Sequence, residues 1–237
     1  MKDYSKALDY SNIAIGNSDI SIIPLTQDFN TDAKGTRLFV IDQTQNNNTG
    51  TTNDGLTTFY GCDPEIPGSA GRGDVSINTA FRGRYETTDT RRSILIYDGT
   101  CNKASRRSGK WRDPYKNIPI IRLAEMHLTR AECNFRLGSS IGASPETDIA
   151  LIRTRANATA IVGSVTLDDI LNERELELAF EGHRIHDFRR TNKYYYTAFD
   201  DNDVPTDSSF YTEDKFVMPI PQVEINSNPS LVQNSYY

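Results

Sequence analysis

The sequence predicts a mainly α protein, built from helix pairs, that carries a long loop-rich section with a few short strands. Three observations predict this. In "IPIIRLAEMHLTRAECNFRLG" the residues Ile121, Ala124, Leu128, Ala131 and Phe135 recur every three or four positions, and Gly138 closes the run. Two further helices announce their starts: Ser144 is followed by Pro145 and Glu146, and Thr166 stands three residues before Asp169, the spacing of a capping box. Between these helices and the opening one, residues 17–117 are polar and irregular, with scattered aromatics.

Taken in order, residues 2–16 read as an amphipathic helix with Ala7, Tyr10 and Ala14 at helical spacing, stopped near Gly16-Asn17. Pro24 in "SIIPL" breaks any regular element. "TRLFVIDQ" (36–43) is a short apolar, β-branched run and reads as a strand. "TQNNNTGTTNDG" (44–55) is almost free of apolar residues and reads as an exposed loop, and "SILIYDG" (93–99) is the second strand. Loops of this length within a domain are commonly functional. A helix over 120–137 and another over 145–157, with Ile149, Ile152 and Ala156 on its apolar face, suit a helical hairpin, although no run of matching 34-residue units follows. The next helix runs from Thr166 to about Phe180, Gly182 marks a turn, and "HRIHDFRRT" forms a short helix. "FVMPIPQVEINSNPSLVQN", with three Pro and no regular period, reads as an extended tail laid across the helices. The opening reads as the middle of a helix, so the chain is expected to begin inside a larger protein.

The net charge of −6 argues against nucleic-acid binding, which calls for a basic face. The three Cys (62, 101 and 133) show no CxxC or Cys–His spacing of the zinc type; Cys62 and Cys101 could pair in an oxidising compartment, and Cys133 belongs to a helical pattern. No apolar run approaches the ~20 residues of a spanning helix. Asp200, Asp201 and Asp203 lack the Gly and Glu of a calcium loop, with Thr206 where the Gly should stand. No cofactor is expected.

Four segments stand in fixed order: "IIRLAEMHLTRAECNFRLG", "LIRTRANA", "LNERELELAFEGHRIHDFRRT" and "MPIPQVEINSNPSLVQN". Together, across 118–237, they resemble the C-terminal half of the SusD/RagB family of surface nutrient-binding lipoproteins from the Bacteroidetes outer membrane. Residues 1–117 match that pattern only loosely. The resemblance implies a helical fold with tetratricopeptide-like helix pairs. It implies capture of a glycan, or of a peptide, at the cell surface, without enzymatic activity, in partnership with a SusC-like TonB-dependent transporter. The membrane link of the family is an N-terminal lipid anchor, and this chain carries neither the signal nor the anchoring Cys. On this reading 1–237 is one C-terminal region: 1–16 the end of a larger helical scaffold, 17–117 the ligand-facing section, and 118–237 scaffold and tail.

The site candidates follow from what a sugar offers, apolar C–H faces rimmed by hydroxyls; aromatic platforms and planar hydrogen-bonding groups match these. Trp111, the sole Trp, stands in "RRSGKWRDPYKN" beside Arg112 and Tyr115. Two readings of Trp111 are open, a ligand platform or an anchor for its loop. Tyr60, Arg84 and Tyr85 are further candidates. "LNERELELAFEGHRIHDFRRT" poses the competing enzyme reading, because His183, His186, Asp187 and Glu181 could hold a metal or move protons. The helical spacing of Glu173, Glu177 and Glu181, opposite Arg184, Arg189 and Arg190 or Arg153 and Arg155, favours scaffold instead. Glu173, Glu181, Arg184, Asp187 and Arg189 are therefore expected to be structural, with Glu181 and Arg184 buried as a pair.

Overall fold

The computed structural model describes residues 2–17, 19–25, 29, 36–48, 55–61, 75–98, 106–191, 195–199, 205–210 and 217–235; in 195–199 and 205–210 only the backbone is described. Cys62, Cys101 and the Asp200–Asp203 loop lie outside these residues. The chain forms two compact units, Asp3–Glu181 and Gly182–Tyr237 with Met1–Lys2.

The described residues are mainly helical. The first unit contains α1 (Tyr4–Asn17), β1 (Arg37–Ile41), the short helices α2 (Leu56–Tyr60), α3 (Thr79–Gly83) and α4 (Arg91–Ile94), β2 (Ile96–Asp98), β3 (Arg106–Ser108), and a 3-10 turn over Gly109–Trp111. Then come β4 (Ile118–Arg122) and the long helices α5 (Leu123–Leu137), α6 (Pro145–Arg155) and α7 (Leu167–Glu177). Two antiparallel pairs, β1–β4 and β2–β3, are its sheets.

The long helices begin and end where their sequence says. Ser144 Oγ accepts from the Thr147 N–H at α6, and at α7 Thr166 and Asp169 exchange both bonds of a capping box. Gly138 ends α5 at φ +62, a left-handed conformation that a side chain would strain. Helix α5 is the hub, packing on α1, α6 and α7. Its Ala124, Leu128 and Ala131 are completely buried, and with Ile149, Ile152 and Ile170 they form the first core. A second core, around Tyr85, Leu95, Ile96 and Leu176, holds the loop-rich section against α7. Helix α7 thus contributes to both: Ile170 to the first core, Leu176 to the second.

Several expectations need correction. The apolar stripe was expected to be helical from Ile121, but Ile118–Arg122 is a strand paired with Arg37–Ile41; a β-branched run beside Pro119 prefers extended backbone. Ile121 and Phe135, the ends of the stripe, are consequently more than a third exposed. In the expected strand 93–99 only Ile96–Asp98 is extended, since Arg91–Ile94 closes into a helical turn. On α1 the buried residues are Leu8 and Ser11, while Tyr10 faces out. Helix α7 stops at Glu177, before Phe180, whose φ is +66.

The second unit contains α8 (Arg184–Thr191), preceded by Gly182 at φ +82, then the antiparallel hairpin β5 (Tyr195–Phe199) and β6 (Pro205–Phe210), and α9 (Gln222–Ser227). The tail is not purely extended, because Pro221 starts α9, a helical turn and a half. It also ties to itself: the Gln233 side chain exchanges two bonds with the Ile220 backbone, and the Asn234 amide donates to the Met218 carbonyl.

Candidate ligand-binding site

The stretch around Trp111 is built as a turn nailed from three sides. The Gly109 N–H donates to the Leu95 carbonyl at 2.7 Å, and a Cβ on Gly109 would meet the Ile94 carbonyl oxygen at 1.9 Å, so only glycine allows this approach. The Lys110 ammonium donates to the Glu177 carbonyl at 2.8 Å and to the Glu181 carboxylate. The Trp111 indole N–H donates to the Phe180 carbonyl at 3.0 Å, and its ring meets Phe29 edge-to-face. Beside this turn lies a shallow cleft, about 310 Å³ with the open solvent above it counted, lined among others by Phe29, Leu56, Trp111, Asp113, Lys116 and Asn117. Its rim is preset: Asn117 accepts from the Gln43 N–H at 2.8 Å and donates to Asp42 at 3.1 Å, while Asp113 accepts from the Tyr115 N–H at 2.9 Å.

Behind the cleft runs a buried charge network. Glu173, Glu177 and Glu181 project from α7 and the residues after it. Glu173 takes Arg91 at 2.6 Å and Arg153 at 2.8 Å; Glu177 takes Arg122 at 3.0 Å, Arg91 at 3.3 Å, and Arg155; Glu181 takes Arg122 at 2.7 Å, and Lys110. Asp89 completes the set on Arg91 at 2.8 Å. Burial alone would push the Glu177 carboxyl upward, but Arg155, Arg122 and Arg91 outweigh it and hold it far below the usual range. Glu181 is likewise lowered, its desolvation overcome by Arg122 and Lys110. Lys110 is drawn down to about 8 by burial, which its pairing with Glu181 only partly offsets. Carboxylates held ionised in this way are poor proton donors. A second buried set, His127, Arg130 and Asp148, ties α5 to α6 through bonds of 2.7–2.8 Å, and Arg130 reaches Asn12 on α1 at 3.1 Å.

The structure separates the candidates. Trp111 is 7% exposed and fully engaged, so the anchor reading describes it and the platform reading does not. Tyr85 is 1% exposed, with its hydroxyl donating to the Leu176 carbonyl at 2.9 Å; it is a core residue because the second core closes over it, and burial pushes its hydroxyl pKa up. Tyr60 is half-buried and edge-packed on Phe180, a contact that joins it to Phe81 and Tyr85 through successive edge-to-face pairs. Arg84 is exposed, but its guanidinium is filled by Glu175 and Asn172. Arg112 is exposed and lies over the Tyr97 ring at 4.2 Å, and Tyr115 is half-buried.

Of the expected structural residues, Glu173 and Glu181 are in the network. Arg184 is not the buried partner of Glu181: it is exposed, with its guanidinium over the Phe188 ring at 4.1 Å, and the Glu181 carboxylate is already shared by two cations. Asp187 is buried and pairs with Arg190 at 2.7 Å, while Arg189 is exposed. Among the described residues no group of three or more His, Cys, Asp or Glu is placed to hold a metal ion, and no helix is long and apolar enough to cross a membrane. Sequence reading missed Arg91, Lys110 and Arg122. The available signal was the spacing of Glu173, Glu177 and Glu181 four residues apart, which puts three acids on one side and demands cations from elsewhere if that side is buried.

The fold and this site define a mainly α scaffold whose helix-borne acids fasten a loop-rich section. The SusD family model matches residues 102–237, more than half of the chain, and the chain belongs to that family. Over 133 residues it is 37% identical to the starch-binding protein SusD of Bacteroides thetaiotaomicron, a match covering 52% of this chain and 22% of that protein. A solved putative sugar binding protein from Bacteroides vulgatus superposes with a TM-score of 0.77 at 24% identity, over 99% of this chain and 56% of that one. Surface glycan-binding protein A from Bacteroides thetaiotaomicron, solved in complex with laminarihexaose, gives 0.74 at 22% identity, over 98% and 59%. The chain therefore spans little more than half the length of these solved relatives.

Proposed function

We propose that the protein captures an oligosaccharide at the bacterial cell surface, without hydrolysing it, and delivers it to a SusC-like TonB-dependent transporter of the outer membrane. Family membership supports the general reading, as do the names of the relatives: one is a starch-binding protein, another a surface glycan-binding protein solved with laminarihexaose. In this chain the reading is carried by the fate of its acids. Hydrolysis needs two carboxyl groups facing one sugar, one of them able to donate a proton. The side chains of Glu173, Glu177 and Glu181 instead are buried and paired with cations of the scaffold, which hold Glu177 and Glu181 ionised.

Ligand contacts on this reading come from the cleft and from Arg112 and Tyr115, which do not line it but adjoin in sequence its lining residues Trp111, Asp113, Pro114 and Lys116 and reach solvent, with Trp111 holding their turn in place. Arg84 and Tyr60 stand as further candidate contacts from the loop-rich section. Isothermal titration over a glycan panel, with chromatography of the same mixtures, tests this. Binding without shorter products is expected; release of shorter sugars would overturn it. Ligand-dependent co-purification with the transporter tests delivery, and protease shaving of intact cells tests surface exposure through a lipid anchor.

A further inference from the structure

The segment 106–116 is basic within an acidic chain: Arg106, Arg107, Lys110, Arg112 and Lys116 stand against Asp113 alone, while the net charge is −6. The structure accounts for three of these cations as scaffold. Arg106 donates to the Ile77 carbonyl at 2.9 Å, Arg107 to the Val75 carbonyl, and Lys110 to Glu181. Arg112 is used differently. It is exposed, its guanidinium lies 4.2 Å from the centre of the Tyr97 ring, and no carboxylate of the described residues stands within ion-pair distance of it.

The comparison with its neighbours isolates this feature. Arg84 also leans on a ring, Phe81 at 5.7 Å, yet its N–H groups are filled by Glu175 and Asn172. Arg82 is paired with Asp98 at 2.9 Å. The nearest acid in sequence, Asp113, has an oxygen engaged by the Tyr115 N–H. Stacking on an aromatic face fixes the plane of a guanidinium while leaving its N–H edges outward. N–H edges left free match the oxygens of a carboxylate or sulfate in a forked pair, and a guanidinium already resting on a ring has less freedom to lose on binding.

We propose that Arg112, held over the Tyr97 ring, recognises an anionic substituent of the captured glycan, so that the ligand is an acidic oligosaccharide carrying uronate or sulfate groups. This rests on the glycan-capture reading above. The test is titration of wild type and Arg112→Gln with three probes: an oligogalacturonate, a sulfated galactan fragment and a neutral malto-oligosaccharide. Melting curves confirm that the surface variant folds. The expected result is preference of the wild type for one or both anionic probes, weakened by salt, and a loss of about tenfold for that probe in Arg112→Gln, the scale of one charge-assisted pair. Which anionic probe responds distinguishes uronate from sulfate. Wild-type binding of the neutral sugar as tightly as both anionic ones overturns the proposal and leaves glycan capture standing, as does an anionic affinity untouched by Arg112→Gln. Failure to bind any sugar overturns glycan capture itself, and the proposal with it.

Discussion

Replacing Glu177 by Gln keeps the side-chain volume and removes one charge from the centre of the network. The carboxylate is fully buried and faces Arg122 at 3.0 Å, Arg91 at 3.3 Å, and Arg155. Taking one partner from a buried ion pair costs about 3–5 kcal/mol, because the other charge is stranded away from water. The three cations are not stranded equally. Arg91 keeps Asp89 and Glu173, and Arg122 keeps Glu181. Arg155, 6% exposed in its side chain, keeps no carboxylate among the described residues. The expected loss is therefore at the low end, about 3 kcal/mol. At about 2–4 °C per kcal/mol for a chain of this size, the melting temperature should fall by roughly 6–12 °C. Circular dichroism melts and urea unfolding at one pH measure it, with an unchanged urea slope showing that the compactness of both states is preserved. Arg155→Met supplies the control: it should cost less beside Glu177→Gln than in the wild type, because the carboxylate it pairs with is already gone. A loss below about 1 kcal/mol, the value of exposed pairs, would refute the reasoning, since it would mean that water reaches the network.

Other outcomes follow from the same geometry. Glu177 and Glu181 have lowered folded-state pKa values, so the unfolded chain takes up protons first as the pH falls; their stabilisation should be complete well above the ordinary value of 4.5 and drain away below it, which acid melts will show unless the network is wet. Lys110 has the opposite character: with a folded value of about 8 against 10.5, the unfolded chain holds a proton that the folded chain has shed, so this group's contribution to stability should rise with pH between those values. Lys110→Met should lack that rise, and an identical pH profile in the variant would contradict the assignment. Gly109→Ala should destabilise by roughly 1–3 kcal/mol through overlap with the Ile94 carbonyl, and should redden the emission of Trp111, the sole Trp; an unchanged spectrum and melt would show that the turn has room. Arg184→Ala, an exposed change, should stay within about 0.5 kcal/mol of the wild type, and a larger loss would reveal a role in folding that its surface position does not suggest.

The helices were legible because their determinants are local. The Ser144 and Thr166 caps, the Gly138 stop and the Ala124–Leu128–Ala131 stripe need only a few residues of context, and all hold in the structure. Strand Ile118–Arg122 was not legible, since its apolar residues continue the helical period by coincidence, and what decides the issue is a partner about 80 residues away. The network was half legible. The spacing of Glu173, Glu177 and Glu181 called for cations, and Arg153 and Arg155 were among those considered. Arg91, Lys110 and Arg122 come from other elements of the chain, and nothing local marks them as buried. The same blindness explains Tyr85 and Trp111: an aromatic in a polar stretch looks like a platform until the fold closes over it.

The distribution of charge within the network bears on how a loop-rich section can present a ligand site. The second core holds the loop-rich section by burial at Tyr85, Leu95 and Ile96, but its polar stretches have few apolar side chains to add to that core. There they send in cations: Arg91 reaches Glu173 on α7, Lys110 reaches Glu181 just beyond it, and Lys110 and the strand-borne Arg122 each lie about 5.0 Å from the Phe29 ring, burying their stems as well as their charge. Each such pair must be near-complete, because an unmatched buried charge would cost more than the pair returns. That requirement fixes the turn at Gly109–Trp111 to within the tolerance of hydrogen bonds. Arg112, the next residue, is exposed beside a base that the Lys110 and Trp111 hydrogen bonds anchor. Anchoring and presentation are thus assigned to adjacent residues with opposite burial. Position 112 can change chemistry without disturbing the fold, whereas 109, 110 and 111 cannot, and a substitution series across these four positions should separate ligand affinity from stability at that single boundary.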